Sequence, residues 1–66
     1  MDYKILFKGT INGKSHNLDT VINSNTAPEA NSPAVRAAAM RALSELIEGE
    51  EKVVTIEVSI TAILPI

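Results

Sequence analysis

The dipeptide Asn12-Gly13 constrains the fold of this chain most, because it separates two runs in which apolar and polar residues alternate. A two-residue type I′ turn needs positive φ at both central positions, and Asn and Gly tolerate that conformation better than other residues do. The sequence therefore predicts a β-hairpin, with a first strand at residues 3–11 and a second at about residues 14–23.

The two-residue turn also predicts the register of this hairpin. Ile11 would face Lys14, and the pairing then runs outward from the turn one residue at a time. The predicted partners further out are Gly9 with His16, Phe7 with Leu18, Ile5 with Thr20 and Tyr3 with Ile22. This register gathers the large apolar side chains on one face of the hairpin, so that face belongs to a core and the other face is mostly exposed to water.

Residues 33–48 have the periodicity of an amphipathic helix, with the apolar positions Val35, Ala39, Ala42 and Leu46 in line. Gly49 is expected to end the helix at its C-terminus. The preceding residues 23–32 are rich in turn formers and are predicted to form a loop.

Two residues compete for the N-cap of this helix. Thr26 with Glu29 three residues later could form a capping box, but Pro33 would then lie inside the helix and remove a backbone donor. Ser32 as the N-cap, with Pro33 at the first helical position, avoids that conflict.

The last segment alternates over residues 53–64 and predicts a third strand. At about 3.3 Å per residue it would be about 40 Å long, which exceeds the average strand. The inward positions would be Val54, Ile56, Val58, Ile60, Ala62 and Leu64. Placing this strand beside the first gives an α+β fold of order ββαβ, with a three-stranded, mainly antiparallel sheet of order 2-1-3 and one helix on one face.

Sixty-six residues make one domain at most and fall below the roughly 70 to 80 at which a lone core gives comfortable stability. The chain has no cysteine, so disulfides cannot supplement the core, and its aromatic share of 3% makes that core thin. We therefore expect a second body to cover part of the apolar surface, either another copy of the chain or another protein. The interface candidates are Met40, Ile47, Val58, Ile60, Ala62 and Leu64.

Charge and hydropathy narrow the class of partner. A net charge of −2 and a pI near 5.2 argue against a sequence-independent nucleic-acid binder, which needs Lys and Arg to displace phosphate counterions. The N-terminal residues do not resemble a secretory signal, and no window approaches the roughly 20 apolar residues of a membrane span. We expect a cytoplasmic protein that does not bind membranes.

The sequence contains few residues with the spacing of a catalytic or ligand-binding site. No catalytic, cofactor-binding or metal-ligating set emerges, since the chain has a single histidine and its acidic residues have no ligand-like spacing. His16 is interpreted as a surface residue near a strand end. The acidic stretch of residues 48–51 is interpreted as a solvated connector.

Three functional hypotheses follow. The first is a non-enzymatic interaction domain, such as a small bacterial accessory or phage-type inhibitor protein, that dimerises or docks on a larger protein by sheet extension or helix pairing. The second is a dimeric nucleic-acid regulator, in which Lys4, Lys8 and Lys14 of the hairpin form one positive stripe. The third is a small enzyme whose site forms between subunits, where His16 meets Asp19, Glu29 or Glu57. We favour the first.

Overall fold

The computed structural model describes residues 1–49 and 52–66. The described elements are β1 (Asp2–Ile11), β2 (Lys14–Asn23), α1 (Pro33–Ile47) and β3 (Ile56–Pro65). The three strands form one antiparallel sheet of order β2-β1-β3, and α1 contacts β1 and β2. The predicted α+β class, the ββαβ order and the 2-1-3 sheet are confirmed.

The hairpin has the predicted turn and register. Asn12 and Gly13 have φ values of 52° and 83°, so both central residues adopt the positive φ that a type I′ turn needs. All five predicted pairs are present, from Ile11 with Lys14 at the turn to Tyr3 with Ile22 near the open end. The hairpin therefore presents its apolar residues to the helix.

Ser32 is the N-cap of α1, and Pro33 occupies its first turn. The Ser32 hydroxyl oxygen accepts the backbone N–H of Val35 at 3.3 Å, which satisfies one of the free donors at the helix start. Residues 24–32 are not helical, so the competing start at Thr26 is not used. The helix ends at Ile47, one residue earlier than predicted, with Glu48 as its C-cap.

The core lies between α1 and the helix-facing side of the sheet. Val35, Ala39 and Leu43 are the buried residues of the helix. Gly9, in the middle of β1, allows Leu43 to approach the sheet closely, since a Cβ at position 9 would lie 2.6 Å from Leu43 Cδ1. The buried side chains of β1 are Tyr3, Ile5, Phe7 and Ile11.

The alternation predicted for β3 is wrong beyond Ile60. A β-bulge interrupts the pairing: Phe7 pairs with Ile60 but Leu6 pairs with Ala62, so Thr61 is an extra residue. Because one inserted residue exchanges the two faces of a strand, Ile63 lies opposite Ile5 and packs against the core. Ala62 and Leu64 consequently lie on the face away from the helix.

The start of the predicted third strand is also wrong. Regular pairing begins at Ile56 rather than at residue 53, and Val54 is 72% exposed rather than inward-facing. The reason is the Asn12 side chain, which occupies the position of a ladder partner: its Oδ1 accepts the N–H of Val54 at 2.7 Å and its Nδ2 donates to the carbonyl of Lys52 at 2.7 Å. These residues are bound to the turn, not to a strand.

Candidate interaction surface

β3 is an edge strand, and two backbone hydrogen bonds at its ends determine which of its N–H and C=O groups remain unpaired. The Asn12 N–H donates to the Thr55 carbonyl at 3.0 Å, and the Ile66 N–H donates to the Asp2 carbonyl at 2.9 Å. In an antiparallel ladder, the N–H and C=O of one residue point to the same side, and the next residue points to the other side. Counting from Thr55, the backbone N–H and C=O groups of Glu57 and Ser59 therefore point toward β1.

It follows that Ile56, Val58 and Ile60 direct their N–H and C=O groups away from the sheet. The bulge at Thr61 shifts this alternation, and counting back from Ile66 places Pro65 on the free side too. Proline has no N–H to offer there, and it is tolerated on an edge strand for that reason. The free edge, as we use the term, is the stretch Ile56–Ile60.

The helix-facing side of β3 is only partly covered, because α1 packs on β1 and β2. Val58 and Ile60 touch the core cluster but are half-buried, and Ile56 is 38% exposed. Arg36 lines a shallow depression together with Ile56 and Val58, so the helix side that carries Arg36 looks toward β3. Met40, one turn later, shares that side and is 42% exposed. Ile47 at the end of α1 is half-buried.

The chain exposes more surface than its mass requires. Its accessible surface is 4607 Å², whereas a compact monomer of 7.1 kDa is expected to expose about 4,100 Å². The dimensions of 38 × 18 × 17 Å agree with this, since the long strands are covered by one helix of 15 residues. About 500 Å² therefore lies beyond what a closed globule of this mass would present.

The face of the sheet away from the helix carries mixed charge. Lys4 Nζ lies 3.5 Å from Asp19 Oδ2, so this lysine already has a carboxylate partner. Lys8 shares the face, next to the Glu57 that pairs with Thr10. Lys14 pairs with Ile11 and therefore belongs to the helix-facing side. Within one chain the three hairpin lysines do not form a single stripe.

His16 is half-buried rather than fully exposed, opposite Gly9 on the helix-facing side. Asp19 and Glu57 lie on the other face, so neither reaches the imidazole within one chain. No group of three His, Asp or Glu residues that could hold a metal ion occurs within residues 1–49 and 52–66. Glu50 and Glu51 of the acidic connector lie outside the described residues.

The six interface candidates fall into three places. Val58 and Ile60 lie together on the free edge, Met40 and Ile47 lie on the helix, and Ala62 and Leu64 lie on the outer face. Sequence reasoning missed Ile63, which takes the core position assigned to its neighbours. The consecutive apolar residues 62–64 allow either phase of alternation, and that run was the available signal for a bulge.

Comparison of the chain with models of protein families, with curated proteins and with solved structures found no match. Within the part of the chain that the structure describes, no helix is long and apolar enough to cross a membrane.

Proposed function

We propose that this chain is a non-enzymatic protein-interaction domain that associates by adding a strand to the free edge of β3. The observation that carries the proposal is the coincidence of unpaired backbone groups with partly exposed apolar side chains over residues 56–60. Strand addition supplies both needs at once, because the incoming backbone satisfies the edge and its side chains cover the exposed apolar surface.

The composition of the free edge favours an edge that pairs with another strand over one that remains unpaired in solution. Edge strands that must remain solitary commonly carry lysine or inward-pointing charge. Between Ile56 and Ile60 the only charged residue is Glu57, which points away from the helix-facing side, and no lysine is present. The bulge and Pro65 interrupt the edge only beyond this stretch.

The partner is another protein chain, and a chain without cysteine needs no oxidising compartment to fold, which agrees with the cytoplasmic location that we propose. Sheet extension is favoured over helix pairing, since Met40 is the only large apolar residue of α1 that is substantially exposed.

Solution mass and thermal unfolding, measured together over a wide range of protein concentration, test this function. A chain that associates with itself through its edge gives a mass above 7.1 kDa and an unfolding temperature that rises with concentration, since mass action stabilises the assembled form, whereas a chain that needs a different partner stays at 7.1 kDa and unfolds at a low temperature. A 7.1 kDa species at every concentration, with a high unfolding temperature that does not change, would show that the chain covers its own core and would overturn the proposal.

A further inference from the structure

We infer that the occupant of the free edge is a second copy of this chain, paired antiparallel to β3 about a two-fold axis that passes beside Val58. This inference rests on the proposed function and commits it to one partner and one register. Val58 would face Val58 of the other copy, and Ile56 would face Ile60 on either side of the axis.

The backbone favours this register. Ile56, Val58 and Ile60 are the residues whose N–H and C=O groups point outward, and a pairing centred on Val58 places each of them opposite another residue of the same set. All three pairs are then of the hydrogen-bonded type, in which each pair exchanges two N–H to C=O bonds. Every outward-pointing group in the free edge obtains a partner.

The side chains favour the same register over its neighbours. A pairing centred on Glu57 would set two carboxylates directly opposite each other, which is destabilising. A pairing centred on Ser59 would bring Ile56 against Ala62, beyond the bulge, where the strand has exchanged its faces. In the pairing centred on Val58, Glu57 lies opposite Ser59, and Ile56 lies opposite Ile60 on the same face of the sheet.

The exposed area is of the right size for such a contact. A specific interface should bury at least about 1,000 Å² in total, or about 500 Å² from each copy, and the excess surface of the whole chain is of that order. The two-fold axis stands perpendicular to the sheet, so both helices lie on the same face of a continuous six-stranded sheet. Its order is β2-β1-β3 followed by the same strands reversed, and neither copy retains a free β3 edge.

Cysteine cross-linking tests the register, because the natural chain has no cysteine and a single substitution yields only symmetric disulfides. In a hydrogen-bonded antiparallel pair the Cα atoms are about 5.5 Å apart, within the Cα range for a disulfide, and the Cβ atoms need to approach by about 1 Å for the bond to form. Val58→Cys is therefore expected to form a covalent dimer under mild oxidation. Ser59→Cys is the matched control, since its symmetry mate would be a diagonal neighbour at about 7–8 Å, beyond the usual disulfide range.

Cross-linking by random collision would favour the control variant over Val58→Cys. Ser59 is exposed and Val58 is half-buried, so random collision would cross-link Ser59→Cys faster. We expect the opposite order, with Val58→Cys reacting roughly tenfold faster or more at low micromolar protein, because residues in register meet at a high effective concentration. Equal rates, or faster reaction of Ser59→Cys or Glu57→Cys, would overturn the inferred register.

Amide hydrogen exchange of the unsubstituted chain provides a second measurement that does not depend on any variant folding. The Val58 and Ile60 amides should become protected as concentration rises, together with the solution mass. A chain that assembles while these amides exchange freely would refute the β3 pairing and leave an interaction function by another surface. A chain that stays monomeric would refute the inferred second copy, and it would refute the proposed function as well if its unfolding temperature were high and did not change with concentration.

Discussion

The side-chain oxygen of Asn12 accepts the backbone N–H of Val54 at 2.7 Å, across 42 residues of sequence. The same oxygen lies 3.3 Å from the N–H of Thr55, and the amide nitrogen of Asn12 donates to the Lys52 carbonyl. The turn of the hairpin therefore also holds the segment that leads into β3. The position at which β3 begins therefore depends on Asn12, a residue of the hairpin turn.

Asn12→Gly is expected to lower the free energy of unfolding by about 1–3 kcal/mol, because it preserves the turn but removes three side-chain hydrogen bonds. Asn12→Asp is the control, since it retains an oxygen for Val54 and Thr55 and should lose less stability. Denaturant unfolding measures the loss, and faster exchange of the Val54 amide locates it. An unchanged Val54 amide in Asn12→Gly would contradict the proposed tie.

Gly9→Ala is expected to destabilise the fold by about 1–3 kcal/mol, the usual cost of adding a methyl group to a filled core. The new Cβ would meet Leu43 Cδ1 at 2.6 Å, so the leucine must shift. Leu43→Val, which has no Cδ atoms, should reduce the cost of the alanine. A double-mutant cycle measures this coupling, and strictly additive losses would show that Leu43 is not the residue that Gly9 accommodates.

The elements that the sequence predicted well are those with local causes. The Asn12-Gly13 turn determines the hairpin register by itself, and Pro33 excludes one of two helix starts by removing a backbone donor. The free edge was not visible, because its hydrogen-bond direction depends on which strand β3 joins and in which register. The Asn12 contacts were missed for the same reason, since they connect residues far apart in the chain.

The bulge shows where periodicity alone fails. Strict alternation from Val53 onward predicted Ala62 and Leu64 in the core, and the extra residue Thr61 gives that position to Ile63 instead. Apolar residues at three consecutive positions satisfy either phase, so the choice is made by packing against Ile5 and not by the local pattern.

Thr61→Val is expected to lower stability by about 0.5–1.5 kcal/mol, because the Thr61 hydroxyl donates to the Leu6 carbonyl at 3.0 Å and valine keeps the shape without the donor. Thr61→Ser retains the hydroxyl and serves as the control. Thermal or denaturant unfolding at one fixed concentration compares the two. If serine proved as costly as valine, the hydrogen bond would not be what stabilises the bulge.

Lysine at two adjacent positions distinguishes the bulged strand from an uninterrupted one. Ile63 packs against the core, so Ile63→Lys forces a charge into that contact and is expected to cost several kcal/mol or prevent folding. Leu64 is 47% exposed on the outer face, and Leu64→Lys should change stability by no more than about 0.5 kcal/mol. Circular dichroism and denaturant unfolding of both variants, at equal concentration, give the comparison. A strand without the bulge reverses the order of the two effects, because Leu64 would then face the helix, so a folded Ile63→Lys beside an unfolded Leu64→Lys would refute the register described for β3.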